Sequence, residues 1–142
     1  MSGWIMDDED IFVDDEMSVD PALNQVTNAI LGACIQVHRT LGPGFPEQVY
    51  CKSLEIEFRL RGINFQRECP IEVMYRGELV GTGRMDFLIE GQVILEVKAV
   101  ETLPPIHIAQ TISYLRAAHH RLALLINFNV RRLKDGIRRI AG

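Results

Sequence analysis

No stretch of this chain approaches the roughly 18 consecutive apolar residues that a membrane span requires, and its first twenty residues contain no base. The first absence argues against a transmembrane helix. The second is the opposite of the positively charged start of a secretory signal peptide. Together they lead to the expectation of a cytoplasmic protein with no membrane partner. Cysteine is sparse and poorly spaced: Cys34, Cys51 and Cys69 are odd in number and form no CxxC pair. That argues against a disulfide framework and a zinc site, and fits reduced thiols. A phosphate loop is missing too, since no Gly-Lys-Ser or Gly-Lys-Thr follows Gly42, Gly44 or Gly77, which read as turn glycines. Nor is there an internal repeat, or the aromatic-basic alternation that marks a single-strand stacking platform.

What is present is a chain of 142 residues with 47% hydrophobic content, enough for one core. Its net charge of -4 is unevenly spread. Eight acids lie in residues 1 to 20, leaving eleven acids against fifteen bases in the remainder. Residues 1–19 read as an acidic, disordered tail, and residues 20–142 as one mildly basic domain able to accept a polyanionic partner. Five of its bases, Arg131, Arg132, Lys134, Arg138 and Arg139, crowd a weakly periodic end that reads as a solvated face.

Asp20-Pro21 is a helix start, and apolar residues then recur at helical spacing from Val26 to Leu41. Gly42-Pro43-Gly44 stops that helix, and a second is expected from Pro46 to Arg61 with Gly62 as its cap. The period then changes. A first strand is expected from Ile63 to Met74, broken or bulged at Pro70. A second lies within Leu79 to Ile89 and a third within Val93 to Val100. Leu103-Pro104-Pro105 opens a helix to Ala118, and Leu122 to Phe128 is a continuous apolar run of the kind found in central strands. The order ααβββαβ predicts an α/β domain, a mixed central β-sheet flanked by helices. His38, His107, His119 and His120 read as surface or helix-end residues.

Three charges interrupt the apolar strands: Asp86 on one, Glu96 and Lys98 on the next. Residues two apart share a strand face, so Glu96 and Lys98 project together. Buried charges persist only when paired or holding a metal. Asp86 and Glu96 are candidate ligands for Mg2+ or Mn2+, with the Val97 carbonyl between them, and Lys98 is placed to stabilise charge on a phosphate. The turn decides whether the carboxylates meet. A two-residue loop at Glu90-Gly91 pairs Asp86 with Leu95, on the wrong face. A three-residue loop, Glu90-Gly91-Gln92, brings Asp86 opposite Glu96. Residue spacing alone is a weak signal, expected by chance in roughly one chain in ten of this length. Glu47 in the first turn of the second helix, and the stripe His107, Gln110, Tyr114 on the later helix, read from spacing alone as charge compensation and a solvated face.

Asp86, then Glu96-Val97-Lys98, on adjacent strands after a helix, resembles the core of the PD-(D/E)XK nuclease superfamily. Gly44-Phe45-Pro46-Glu47-Gln48-Val49-Tyr50 resembles the signature of the GxxExxY protein family, and stretches 35–44, 109–115 and 124–128 resemble it further. The likeness covers about residues 22 to 140; Pro46 and Met85 are less usual for the family, yet neither removes a functional group. The resemblance implies a nuclease-like fold first and cleavage second. It would make Asp86, Glu96 and Lys98 the metal and catalytic set, with Glu47 completing the cation site and Gln110 and Tyr114 beside it. The expected activity is metal-dependent phosphodiester hydrolysis of nucleic acid, DNA or RNA. The alternative is a non-catalytic nucleic-acid or protein-binding module that retains the fold. Oligomeric state stays open, a homodimer included.

Overall fold

The computed structural model describes residues 12–14 and 20–142. Helix α1 (Pro21–Leu41) begins where Asp20 accepts the Ala22 N–H at 2.9 Å, with Pro21 at a position whose missing N–H costs nothing. It ends at Gly42, whose N–H returns to the His38 carbonyl. Helix α2 (Glu47–Leu60) ends in a reciprocal pair of bonds: Ile63 N–H to Phe58 O at 2.9 Å and Gly62 N–H to Arg59 O at 3.2 Å. That closure needs a left-handed residue after the cap, and Gly62 supplies it with φ 69°.

The sheet is built from β1 (Phe12–Asp14), β2 (Phe65–Tyr75), β3 (Glu78–Ile89), β4 (Val93–Lys98), β5 (Leu122–Asn127) and β6 (Ile137–Ala141). Helix α3 (Pro105–Ala118) crosses from β4 to β5. The strand order is β1-β6-β5-β4-β3-β2. Strands β4 and β5 run parallel and every other neighbouring pair is antiparallel, so the sheet is mixed. The ααβββαβ order is present, with β1 and β6 added beyond β5.

Period-two alternation divides the sheet's side chains between two cores. Phe87, Ile89, Val93, Leu95 and Val97 pack with α1 and α2, while Met85, Leu88 and Ile94 pack with Ile112 and Leu115 of α3. All six residues of β5 are buried, as its unbroken apolar run demanded. The β3–β4 turn keeps the three-residue count: Ile89 pairs with Val93 and Phe87 with Leu95. Glu90 and Gly91 both have positive φ, and the Glu90 carboxylate latches the turn by accepting the Asn64 N–H at 3.0 Å.

Four expectations need correction. Strand β2 runs unbroken through Pro70, which is tolerable on a sheet edge where no partner wants its missing N–H. The register shift lies instead between Val73 and Met74, and the pairing skips Glu68, which has φ 52°. Of the C-terminal bases expected on a solvated face, Arg131, Arg132 and Lys134 are exposed, but the stretch that follows them is not weakly structured. After a short 3-10 turn at Leu133–Gly136 it becomes β6, with Ile140 in the core and Arg139 buried against Asn24 Oδ1 at 3.1 Å. Gly136 makes this possible, because a Cβ there would collide with the Asn127 carbonyl. His38 is a helix-end residue in the last turn of α1, but it is buried rather than at the surface, its Nε2 2.7 Å from the Val130 carbonyl. Of residues 1–19, Phe12–Asp14 form a strand paired with β6, and the rest of the expected tail lies outside the described residues.

Candidate active site

The site forms where two strands change face. Along β3, Met85 packs toward α3 and Phe87 toward α2, although residues two apart normally share a face. Along β2 the same reversal separates Cys69 from Arg67, which lies over the Phe87 ring at 4.9 Å. The pairs Arg67 with Phe87 and Cys69 with Met85 remain in register, so the twist is concentrated at Glu68 and Asp86 between them. Glu68 adopts the left-handed conformation without glycine's freedom, a local strain of order 1–3 kcal/mol. The reversal turns Asp86 out of the ladder.

Regular pairing of β3 with β4 stops at Phe87 and Leu95. Beyond it, side chains replace the ladder. Glu96 Oε2 accepts the Asp86 N–H at 2.7 Å, and Asp86 Oδ2 accepts the Val97 N–H at 2.8 Å. Each carboxylate is thereby fixed by the other's strand. The N–H and C=O of one strand residue point to the same edge, so the Val97 carbonyl also faces the β3 side.

Glu47 arrives from α2, and the hinge that places it is explicit. Tyr50, fully buried, donates its hydroxyl to the Gly42 carbonyl at 2.6 Å and accepts the Phe45 N–H at 3.2 Å. Its ring stacks on Phe128 at 4.7 Å. Gly44 turns the intervening chain with φ 110°. Tyr50 thus pins the loop that sets the start of α2, and Glu47 occupies the first turn. One turn later Cys51 faces the same way. A Glu47 oxygen, Cys51 Sγ and an Asp86 oxygen all lie within 4.8 Å of one another.

The electrostatics follow from burial. Glu96 holds its proton far more tightly than usual, first because burial penalises its charge and next because Asp86 is negative. Asp86 and Glu47 are raised as well, again mainly by burial. For Asp86 the Val97 N–H, Lys98 and Arg67 pull the other way. Arg67 reaches the Asp86 carbonyl at 2.9 Å and Glu55 at 3.3 Å, a fixed cation beneath the carboxylates. Lys98 faces the cluster without closing an ion pair among the described residues.

Tyr114 reaches the site from α3. Its ionisation is opposed first by burial and then by Glu96 and Asp86, while the nearby Arg84 backbone eases it. Gly83 admits it, because a Cβ there would stand 3.1 Å from the Tyr114 ring. Gln110 lies one turn earlier on the same helix side and is exposed. Asp86, Glu96, Lys98, Glu47 and Tyr114 therefore converge, whereas Gln110 stands at the margin.

Residue spacing missed four neighbours. Arg67 and Cys51 carry no pattern of their own, although Cys51 at four residues from Glu47 was a detectable signal. His107 is the helix-end residue expected, in the first turn of α3, and its basicity is lowered by burial and by nearby Lys98, which spacing does not show. Asn127 is buried beside Lys98 and holds the chain leaving β4, accepting the Val100 N–H at 3.0 Å and donating to the Val100 carbonyl at 2.9 Å.

Carboxylates whose charge is penalised mainly by burial suit a hard divalent cation, which favours oxygen donors. A family model for the PD-(D/E)XK nuclease superfamily matches residues 24–140, and the chain belongs to that superfamily. No curated protein and no solved structure matches the chain. Among the described residues, no helix is long and apolar enough to cross a membrane.

Proposed function

We propose that this domain hydrolyses phosphodiester bonds in nucleic acid, with Mg2+ or Mn2+ held by Glu47, Asp86, Glu96 and the Val97 carbonyl. The observation that carries this reading is the convergence of the three carboxylates beside Lys98, at the point where β3 and β4 separate. When bound, the cation neutralises phosphate charge and acidifies water. The protein's own part is positional. Asp86 and Glu96 are locked by each other's backbone N–H, so little reorganisation is needed when substrate arrives. Lys98 supplies a mobile ammonium for the negative charge that grows on the phosphate. Tyr114 and Gln110 line the approach from α3 as hydrogen-bonding groups for the substrate backbone. The Gly44, Glu47, Tyr50 arrangement supports closer kinship with the GxxExxY family, since each residue there has a distinct mechanical task. The absence of disulfides among three free cysteines suits a cytoplasmic, reducing setting.

Cleavage of single- and double-stranded DNA and RNA, with Mn2+ or with chelator, tests the reading. Lys98→Ala is expected to lower the rate by about 100-fold or more while leaving the melting temperature within a few degrees. Unchanged cleavage by the variant would remove Lys98 from the reaction. Nucleic-acid binding by the wild type without metal-dependent cleavage would favour the non-catalytic module.

A further inference from the structure

The proposed reaction leaves one group in the floor of the site unused. Cys51 is 1% exposed, yet its sulfur lies within 4.8 Å of oxygens from Glu47 and Asp86, and none of the recorded hydrogen bonds among the described residues involves it. The other two thiols differ. Cys34 is enclosed in the apolar core, and Cys69 donates to Gln66 Oε1 at 3.1 Å. Cys51 alone is a buried, unpartnered thiol aimed at two carboxylates.

Its placement follows from helix geometry. Residues four apart lie one above the other on a helix, so any cation reached by Glu47 from the top of α2 is approached by Cys51 from one turn below. A thiol adds nothing for Mg2+, which prefers oxygen and keeps its waters. It adds much for a borderline-soft ion, which takes sulfur at about 2.3 Å and carboxylate oxygen at about 2.0–2.2 Å. Tetrahedral placement then sets sulfur and oxygen about 3.6 Å apart. The present spread of up to 4.8 Å exceeds this by about 1 Å, so the three ligand atoms draw together when an ion binds.

We propose that Cys51, Glu47 and Asp86 form a mixed sulfur-oxygen site for a thiophilic divalent cation, Zn2+ or Co2+, overlapping the hard-cation site. The inference rests on the reading that Glu47 and Asp86 hold a cation. On binding, the S–H bond breaks, the proton leaves to solvent, and the sulfur lone pair forms the metal bond. No electron is transferred. Because two ligands are shared, the thiophilic ion excludes Mg2+ and holds the domain inactive.

The test titrates the full chain with Co2+, Zn2+ and Mn2+, using wild type, Cys51→Ser, Cys51→Ala and Cys69→Ser. Co2+ should give a sulfur-to-metal charge-transfer band in wild type and Cys69→Ser that is absent from both Cys51 variants. Zn2+ affinity should fall by at least about tenfold in the Cys51 variants, with a much smaller change for Mn2+. The alanine variant keeps the test informative if a buried serine hydroxyl prevents folding. A band that survives in a folded Cys51 variant, or that depends on Cys69, overturns the proposal. Mn2+ binding to wild type without any sulfur band overturns it and leaves the proposed function standing. Failure of every cation to bind overturns both.

Discussion

The β2–β3 ribbon has two halves made of the same strands in nearly continuous register, and they live in different solvents. In the inner half, Phe65 and Phe87 meet Phe58 of α2 in a cluster of rings, with Phe87 at 5.5 Å from Phe58 and 5.8 Å from Phe65. In the outer half, Tyr75, Leu79 and Val80 are 65%, 54% and 61% exposed. Strand propensity alone does not distinguish them; coverage by helices does. The boundary falls at Glu68 and Asp86, where the strands change face. The inner half therefore acts as the anchored base on which Asp86 is held, and the outer half projects past the site.

That contrast can be broken experimentally. The largest stability effect is expected at the base: Phe87→Ala should cost about 3–5 kcal/mol by removing a fully buried ring from an aromatic cluster. Urea unfolding measures it, and a loss below about 1 kcal/mol would deny the inner half its anchoring role.

Next in size is Glu96→Gln. The folded value for Glu96 is raised from 4.5 to about 8, so its contribution to stability is present below the lower value and lost as pH rises toward the upper. The metal-free variant keeps an acceptor for the Asp86 N–H but carries no charge. Its melting temperature should match wild type near pH 4.5 and exceed it by roughly 5 °C at pH 8. A constant difference across that range would contradict the burial account.

Arg67→Met removes the fixed cation beneath the carboxylates. Less positive charge near the site should tighten Mn2+ binding by about tenfold while lowering metal-free stability. Calorimetric titration reads the affinity, and weaker binding would show that Arg67 acts through geometry instead. The smallest effect belongs to the outer half, where Leu79→Ala should change stability by less than about 1 kcal/mol.

Much of this architecture could be read from local rules. The Asp20-Pro21 start of α1, the reversal at Gly62 and the all-buried β5 each follow from residues adjacent in the chain. The register at Glu90-Gly91-Gln92 was legible only as a choice between two loop lengths, and the structure selects the three-residue count. What escaped depends on partners distant in sequence. The face change at Glu68 carries no glycine to announce it. Strand β6 was obscured by its arginines, whose long stems let Arg139 lie buried while Ile140 enters the core. His38, Arg67 and Cys51 gain their surroundings only when α1, β2 and α2 pack together. Glu47 was legible only through family likeness, since an acid in the first turn of a helix is otherwise ordinary.

The central claim is that the face change at Asp86 builds a divalent-cation site. The most direct measurement is anomalous diffraction from a crystal soaked in Mn2+ at a pH above 8, where Glu96 is ionised. The account predicts a peak within bonding reach of Asp86, bounded by Glu47, Glu96 and the Val97 carbonyl. A fully soaked crystal with ordered carboxylates and no peak there would contradict it.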